Sequence, residues 1–260
     1  FKNLAQIQTS FRRFINLIPR NGLLIANGDD ANLAPLLEIN HCPIQRFSLS
    51  DAVDLQFASE GSRFSLDGAE FALPLFGELN VRNALAVVVV ARHSGLIDSQ
   101  IQAGFDTFEG IKRRMEVCGE ERGVTVIDDF AHHPTAIRET LKAVKTRYPG
   151  RRLWAVFEPR SNSTRRSVFQ EDLAAAFDDA DEVVVAQVAR LEQIPETERL
   201  DAERLMADVQ RHGAKAAYLP DVDAIVNYVT ARAAEGDVVC VLSNGSFGGV
   251  HEKLLAKLRA

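Results

Sequence analysis

Apolar residues recur along this chain with two different periods, and the change from one to the other divides it. Leu4, Ile7, Phe11, Phe14, Ile15 and Ile18 share one helical face, and the pattern ends near Pro19. Asn21-Gly22 turns the chain into an apolar strand over residues 23–26, and Gly28-Asp29-Asp30 opens a short helix over 31–38. Residues 42–76 alternate irregularly around turn signals at Gly61 and Asp67-Gly68, which predicts short antiparallel strands. A helix is expected over 80–93, with Asn80 as its N-cap and Gly95 just past its end. The run Val87-Val88-Val89-Val90 would suit a strand equally well, but the segment is too long for one strand. A helix over 99–105 then leads to Phe108-Glu109-Gly110, the expected domain joint.

Beyond that joint the rhythm is regular. Strands are expected at 124–127, 153–157, 182–188, 216–219 and 238–242, separated by helices at 134–146, 163–177, 202–212 and 222–234, with a last helix at 249–258. Strands alternating with helices at this spacing predict an α/β fold: a doubly wound, mainly parallel sheet over 111–260, covered on both faces. Residues 1–110 form a separate unit in this reading. A chain that opens with Phe1 inside an amphipathic helix is expected to have been cut from something longer.

Composition narrows the class. Of 260 residues, 46% are hydrophobic and 25% charged, as in a soluble globular protein. A net charge of −6 argues against a nucleic-acid partner, because nothing would neutralise a phosphate backbone. No apolar run approaches the roughly 20 residues that span a bilayer, so no membrane partner is expected. Cys42, Cys118 and Cys240 lack metal or disulfide spacing and read as ordinary buried thiols of a cytoplasmic protein.

In open α/β sheets, ligands bind outside the carboxyl ends of the strands. Three of these ends are polar: Asp128-Asp129-Phe130-Ala131-His132-His133-Pro134-Thr135, Glu158-Pro159-Arg160-Ser161-Asn162-Ser163, and Ser243-Asn244-Gly245-Ser246-Phe247-Gly248-Gly249. Each has a purely structural reading. The histidines would sit in a first helical turn ahead of Pro134, Asp129 would cap a turn, and Asn162 or Ser163 would cap a helix. The glycine-rich loop could be a tight turn, or could present backbone amides to an anion. All three at one sheet edge favour a binding site. Asp128, Asp129, His132 and His133, with Glu158, also suggest a divalent metal activating water, the chemistry of a metal-dependent hydrolase.

The string RRMEVCGEERGVTVIDDFAHHPTAIRETLKAV at 113–144 resembles the Mur ligase family, ATP-dependent enzymes that add amino acids or peptides to UDP-N-acetylmuramate in peptidoglycan synthesis. The segments EPRSN at 158–162 and SNGSFGGVH at 243–251 are similar to the branch that takes a recycled tripeptide, L-alanyl-γ-D-glutamyl-meso-diaminopimelate. The resemblance implies a Rossmann-like third domain preceded by the C-terminal part of a central ATP-binding domain. It implies an acyl-phosphate mechanism, with ATP phosphorylating the muramoyl carboxylate and the tripeptide amine displacing phosphate. In that family pattern Arg114 contacts the ATP phosphates as the catalytic cation, Asp129 meets the ribose, His132 lies beside the nucleotide, and Asn80 and Asn83 line the adenine site. Arg160, Ser161, Asn162, Asn244 and Gly245 face the incoming peptide.

The sequence departs from the pattern at Leu79, where the family motif G-x-H-N-x-x-N-x-x-A has histidine, and at Gln8, where several relatives carry a modified lysine. It contains no phosphate loop, so the ligands of magnesium are expected upstream of Phe1 and the chain alone is expected not to ligate. A rival in the family is the UDP-N-acetylmuramate–L-alanine ligase, whose segment at EPRSN typically reads Q-P-H-R-Y-S. A nucleotide-binding module without catalysis is a further rival.

Overall fold

A computed structural model describes residues 3–39, 41–58, 60–189 and 191–260. The chain forms two compact units, Phe1–Glu109 and Gly110–Ala260.

In the first unit, helix α1 (Leu4–Ile15) is capped by Asn3, whose side chain accepts from the Gln6 amide. Its apolar face is only partly covered: Ile15 is buried, while Leu4, Phe11 and Phe14 are exposed. Strands β1 (Leu24–Asn27) and β2 (Ile44–Phe47) pair in parallel. The helix expected over 31–38 is reduced to one 3-10 turn, Ala34–Leu36, because the Asp30 carboxylate takes the Asn32 amide into a local turn and Pro35 supplies no amide. An antiparallel sheet follows, of β3 (Val53–Ala58), β4 (Gly61–Leu66) and β5 (Ala69–Leu73), as the alternation predicted, although β2 stands outside it. Helix α2 (Glu78–His93) buries Val81, Leu85, Val88 and Val89 against Phe64 and Phe71 of that sheet. Its N-cap is Gly77, at φ +86°, and not Asn80, which lies inside the first turn and donates to the Phe76 carbonyl. Gly95 ends the helix as expected, in the left-handed conformation, with Leu96 and Gly95 amides returning to the Ala91 and Arg92 carbonyls. Helix α3 (Asp98–Asp106) closes the unit.

The second unit is a six-stranded sheet in the order β10-β9-β8-β11-β7-β6. Its parallel strands are β7 (Val124–Asp129), β8 (Leu153–Phe157), β9 (Glu182–Ala186), β10 (Lys215–Leu219) and β11 (Val238–Leu242). Strand β6 (Glu116–Glu121) is antiparallel to β7, and the hydrophobic pattern did not predict it. It is an edge strand with glutamates at 116, 120 and 121, so it has no apolar signature. Arg122 (φ +51°) and Gly123 (φ +70°) join the pair as a two-residue turn of the type that suits strand twist.

Helices α4 (Pro134–Arg147), α5 (Gln170–Ala176) and α6 (Ala202–Arg211) cover one face. Helices α7 (Val222–Thr230) and α8 (Val250–Arg259) cover the other. The chain leaves β7, passes over the position of β11 to β8, steps outward to β10, and returns to fill the gap. The central strands have buried residues throughout, as expected where both faces are covered. Helix α5 starts at Gln170, not 163, so neither Asn162 nor Ser163 caps it. Residues 161–165 are a turn in which Ser161 Oγ accepts the Thr164 amide at 3.1 Å. Of the cysteines only Cys240 is buried; Cys42 is partly exposed and Cys118 exposed, so the reading of three buried thiols holds for one.

Candidate functional site

The three polar strand ends belong to β8, β11 and β7, which are neighbours in the sheet. Backbone hydrogen bonds join them: the Glu158 amide donates to the Leu242 carbonyl (3.0 Å), and the Ser243 amide to the Asp129 carbonyl (3.1 Å). This edge is where the winding reverses, the usual place for a ligand in a doubly wound sheet.

Strand β7 runs through both aspartates, so Asp128 and Asp129 point to opposite faces. Asp129 is buried on the α4 side. Its oxygens accept from the Ala131 amide (2.8 Å), the Met115 amide (2.8 Å) and the Thr140 hydroxyl (3.3 Å). Burial pushes its carboxyl above the ordinary value against these bonds and the field of Arg114. Asp128 faces the α8 side, where Arg113 Nε donates to it (3.0 Å) and His251 Nε2 lies 3.2 Å away, out of hydrogen-bond alignment. Burial raises its carboxyl too, but His251 and Arg113 outweigh that and hold it below the ordinary value. The pair therefore cannot share one ion. Among the described residues no three carboxylate, imidazole or thiol groups gather as a metal site, which removes the geometric basis of the hydrolase reading.

Arg114 is exposed on the loop before β6, its guanidinium 5.6 Å from the Phe130 ring centre. The residues on either side, Arg113 (φ +59°) and Met115 (φ +52°), are both left-handed, a conformation that costs non-glycine residues about 1–2 kcal/mol each. Asp129 holds Met115, and the Arg113 carbonyl accepts the Phe130 amide at 2.9 Å. The strain is thus stabilised by neighbours, and it turns the Arg114 side chain outward. His132 is half-buried, with Nδ1 2.9 Å from the Phe130 carbonyl and its ring edge-on to Phe130. His133 caps α4 by accepting the Thr135 amide, and burial together with His132 lowers its pKa.

At the end of β8, Arg160 Nη1 lies 3.7 Å from Glu158 Oε1, and the Ser243 hydroxyl donates to Glu158 Oε2. Arg160 passes directly over Gly245: a Cβ there would lie 2.6 Å from Arg160 Cδ. Gly245 itself donates to Ser243 Oγ (2.9 Å). Asn244 Oδ1 is enclosed and has no hydrogen-bond partner among the described residues. Asn162 is turned aside to Arg165, accepting at 2.7 Å, and Ser161 is engaged by Thr164. Arg160, Asn244 and Gly245 are therefore brought together, whereas Ser161 and Asn162 serve their own turn. Asn80 and Asn83 lie in the other unit, on the first two turns of α2; Asn83 is exposed.

Sequence reasoning gave no role to Arg113, Ser243 or His251, and weighed Glu158 only as a metal ligand. The signal available was the Arg113-Arg114 pair, of which only the second residue was used.

The fold and these residues can be set against known proteins. Residues 113–245 match the model of the Mur ligase glutamate ligase domain, and residues 1–91 that of the Mur ligase middle domain. The chain belongs to the Mur ligase family. A UDP-N-acetylmuramate–L-alanine ligase of Geobacter sulfurreducens is 35% identical over 98% of this chain and 57% of its own length. The UDP-N-acetylmuramate–L-alanyl-γ-D-glutamyl-meso-2,6-diaminoheptandioate ligase of Escherichia coli is 34% identical over 98% of this chain and 55% of its own. The crystal structure of a murein peptide ligase from Psychrobacter arcticus superposes with a TM-score of 0.70 at 32% identity, covering all of this chain and 56% of that one. The chain thus spans little more than half the length of these relatives. No helix among the described residues is long and apolar enough to cross a membrane.

Proposed function

We propose that this chain supplies the middle and third-domain parts of a cytoplasmic, ATP-dependent ligase that joins UDP-N-acetylmuramate to L-alanyl-γ-D-glutamyl-meso-diaminopimelate in peptidoglycan recycling. Relatives of both alanine and tripeptide specificity match at similar identity, so overall likeness does not choose between them. The observation that favours the tripeptide is the Glu158–Arg160 pair, seated over Gly245 beside Ser243. A cation and an anion side by side suit a long zwitterionic peptide better than a small amino acid, because each can meet an opposite charge of the ligand.

ATP, when bound, supplies the phosphoryl group that activates the muramoyl carboxylate as an acyl phosphate. Arg114 is exposed and offers phosphate oxygens a permanent cation. Asp129 and His132 flank the ribose in this reading. Asp129 can accept a ribose hydroxyl only with lone pairs that its two backbone amides leave over. Arg160 holds a peptide carboxylate, and Asn244 and Gly245 the peptide backbone, so the amine is aimed at the activated carbonyl carbon, which it attacks to form a tetrahedral intermediate that then expels phosphate. Among the described residues no three carboxylate, imidazole or thiol groups gather, and none of them is proposed to hold magnesium.

The deciding experiment supplies the full-length protein with UDP-N-acetylmuramate, magnesium-ATP and either L-alanine or the tripeptide, and weighs the product by mass spectrometry. ADP and a tripeptide adduct are expected with the second acceptor. Efficient use of L-alanine alone would overturn the reading.

A further inference from the structure

Arg113 reaches two neighbouring strand ends at this sheet edge with one side chain. Its Nε donates to Asp128 at the end of β7, and its Nη2 donates to the Ser243 carbonyl at the end of β11, at 2.5 Å. Its own amide donates to Glu116 Oε2 (2.8 Å), and its guanidinium lies 5.1 Å from the Phe130 ring centre. Asp128 is in turn flanked by His251 on α8, the helix that follows the glycine-rich loop. Ser243 passes the connection on: its hydroxyl donates to Glu158 and accepts from the Gly245 amide. One guanidinium thereby ties the loop that presents Arg114 to the loop that presents Asn244 and, through Glu158, to Arg160.

We propose that Arg113 is a positioning residue that locks the Arg114 loop and the Ser243–Gly245 loop into one unit, so that binding on the phosphate side is felt on the peptide side. This rests on the nucleotide reading above. The fork geometry is what the role requires. Two acceptors on different strands are reached by two N–H groups of one rigid plane, which a lysine ammonium on a flexible stem cannot reproduce. The left-handed backbone at Arg113 and Met115 supplies the second requirement. A loop held in a strained conformation by its contacts moves as a body when one contact is released.

The test follows backbone amide resonances of the full-length protein while ADP is added. In the unaltered chain, the Arg114 and Met115 amides and the Ser243 and Gly245 amides are expected to shift together, with one midpoint. In Arg113→Met, the first pair is expected to shift while the second loses at least four-fifths of its displacement. If Arg113→Met does not fold, as judged by its thermal transition, Arg113→Lys answers the same question, because it keeps the charge and loses the fork. Undiminished shifts at Ser243 and Gly245 in a folded variant would overturn the proposal. Absence of any shift in the unaltered chain would instead reject the nucleotide reading, and the inference with it.

Discussion

Asp128 and Asp129 are neighbours in sequence, yet their carboxylates serve opposite faces of one sheet: the first meets Arg113 and His251, the second the Met115 and Ala131 amides. The strand's two-residue period imposes this separation, and it divides the labour of the site. Asp128 steadies the link toward the glycine-rich loop, and Asp129 steadies the loop that carries Arg114.

Asp129→Asn should expose that second role. One oxygen becomes an NH2 group, so one of the two backbone amides faces a donor in a buried place, a loss of about 1–3 kcal/mol. Relief of the buried charge offsets part of this, since burial already pushes the Asp129 carboxyl upward. Hydrogen exchange at whichever of the Met115 and Ala131 amides faces the new NH2 group is expected to quicken by roughly tenfold or more, if that protection depends on about 1.4 kcal/mol of bonding. Unchanged exchange at both amides would show that the loop is held by something else.

Gly245→Ala tests the seat of Arg160 without touching Arg160. The new methyl would sit 2.6 Å from both Cδ and Nη1 of a half-exposed, flexible side chain, so the arginine must swing away while the backbone keeps its place. In the full-length ligase the tripeptide KM is expected to rise about tenfold, the loss of one charge-assisted contact of ~1.5 kcal/mol, with the ATP KM unchanged. Equal increases in both KM values would point to general disruption rather than a displaced peptide anchor.

The fold of 111–260 was legible because its strands are buried on both faces and its helices are amphipathic, so two periods alternate cleanly. Strand β6 was not, since an edge strand built on Glu116, Glu120 and Glu121 hides its alternation in charge. The start of α5 was misplaced because Asn162-Ser163 has the chemistry of a cap, while the Ser161 hydroxyl uses that chemistry to make a turn. The three strand ends were found by position alone. Their wiring was not, because Arg113, Ser243 and Glu158 are 45 to 130 residues apart in sequence and meet only when β11 returns between β7 and β8.

In the first unit, Gly61 begins β4 at φ +142°, and a Cβ there would fall 2.1 Å from the Leu73 carbonyl oxygen of the adjacent strand. That oxygen, the Leu73 carbonyl carbon and Pro74 Cα, each of the latter 3.0 Å away, are all backbone, so nothing nearby can yield cheaply. Gly61→Ala should destabilise this unit by about 3 kcal/mol or more through overpacking and strain, and leave the second unit's transition in place. Calorimetry of the chain would show one transition lowered. A variant with the thermal profile of the original would contradict the close approach.

At the opposite edge of the larger sheet, Asp237 anchors the residues that precede β11. It accepts from Trp154 Nε1 (2.9 Å), from Arg152 Nη2 (2.6 Å) and from the Ala234 amide (3.0 Å). Burial raises its carboxyl, but the bonds from Arg152, the Ala234 amide and Trp154 prevail and leave it below the ordinary value of 3.8. A folded-state value below the unfolded one means stability that is present above pH 3.8 and is lost as pH falls through the folded value. Asp237→Asn removes the charge that Arg152 pairs with and should cost about 3 kcal/mol at pH 7, within the range for breaking a buried ion pair. The gap between the two proteins should then close as the pH falls below 3.8, because the original protein's own aspartate becomes neutral. Urea unfolding at pH 7 and at successive acid steps measures both quantities. The raised carboxyl of Asp129 acts with the opposite sign but is common to both proteins, so it cancels in the difference. A gap that stayed constant to pH 3 would mean that the contribution of Asp237 is made by its shape and hydrogen bonding rather than by its charge.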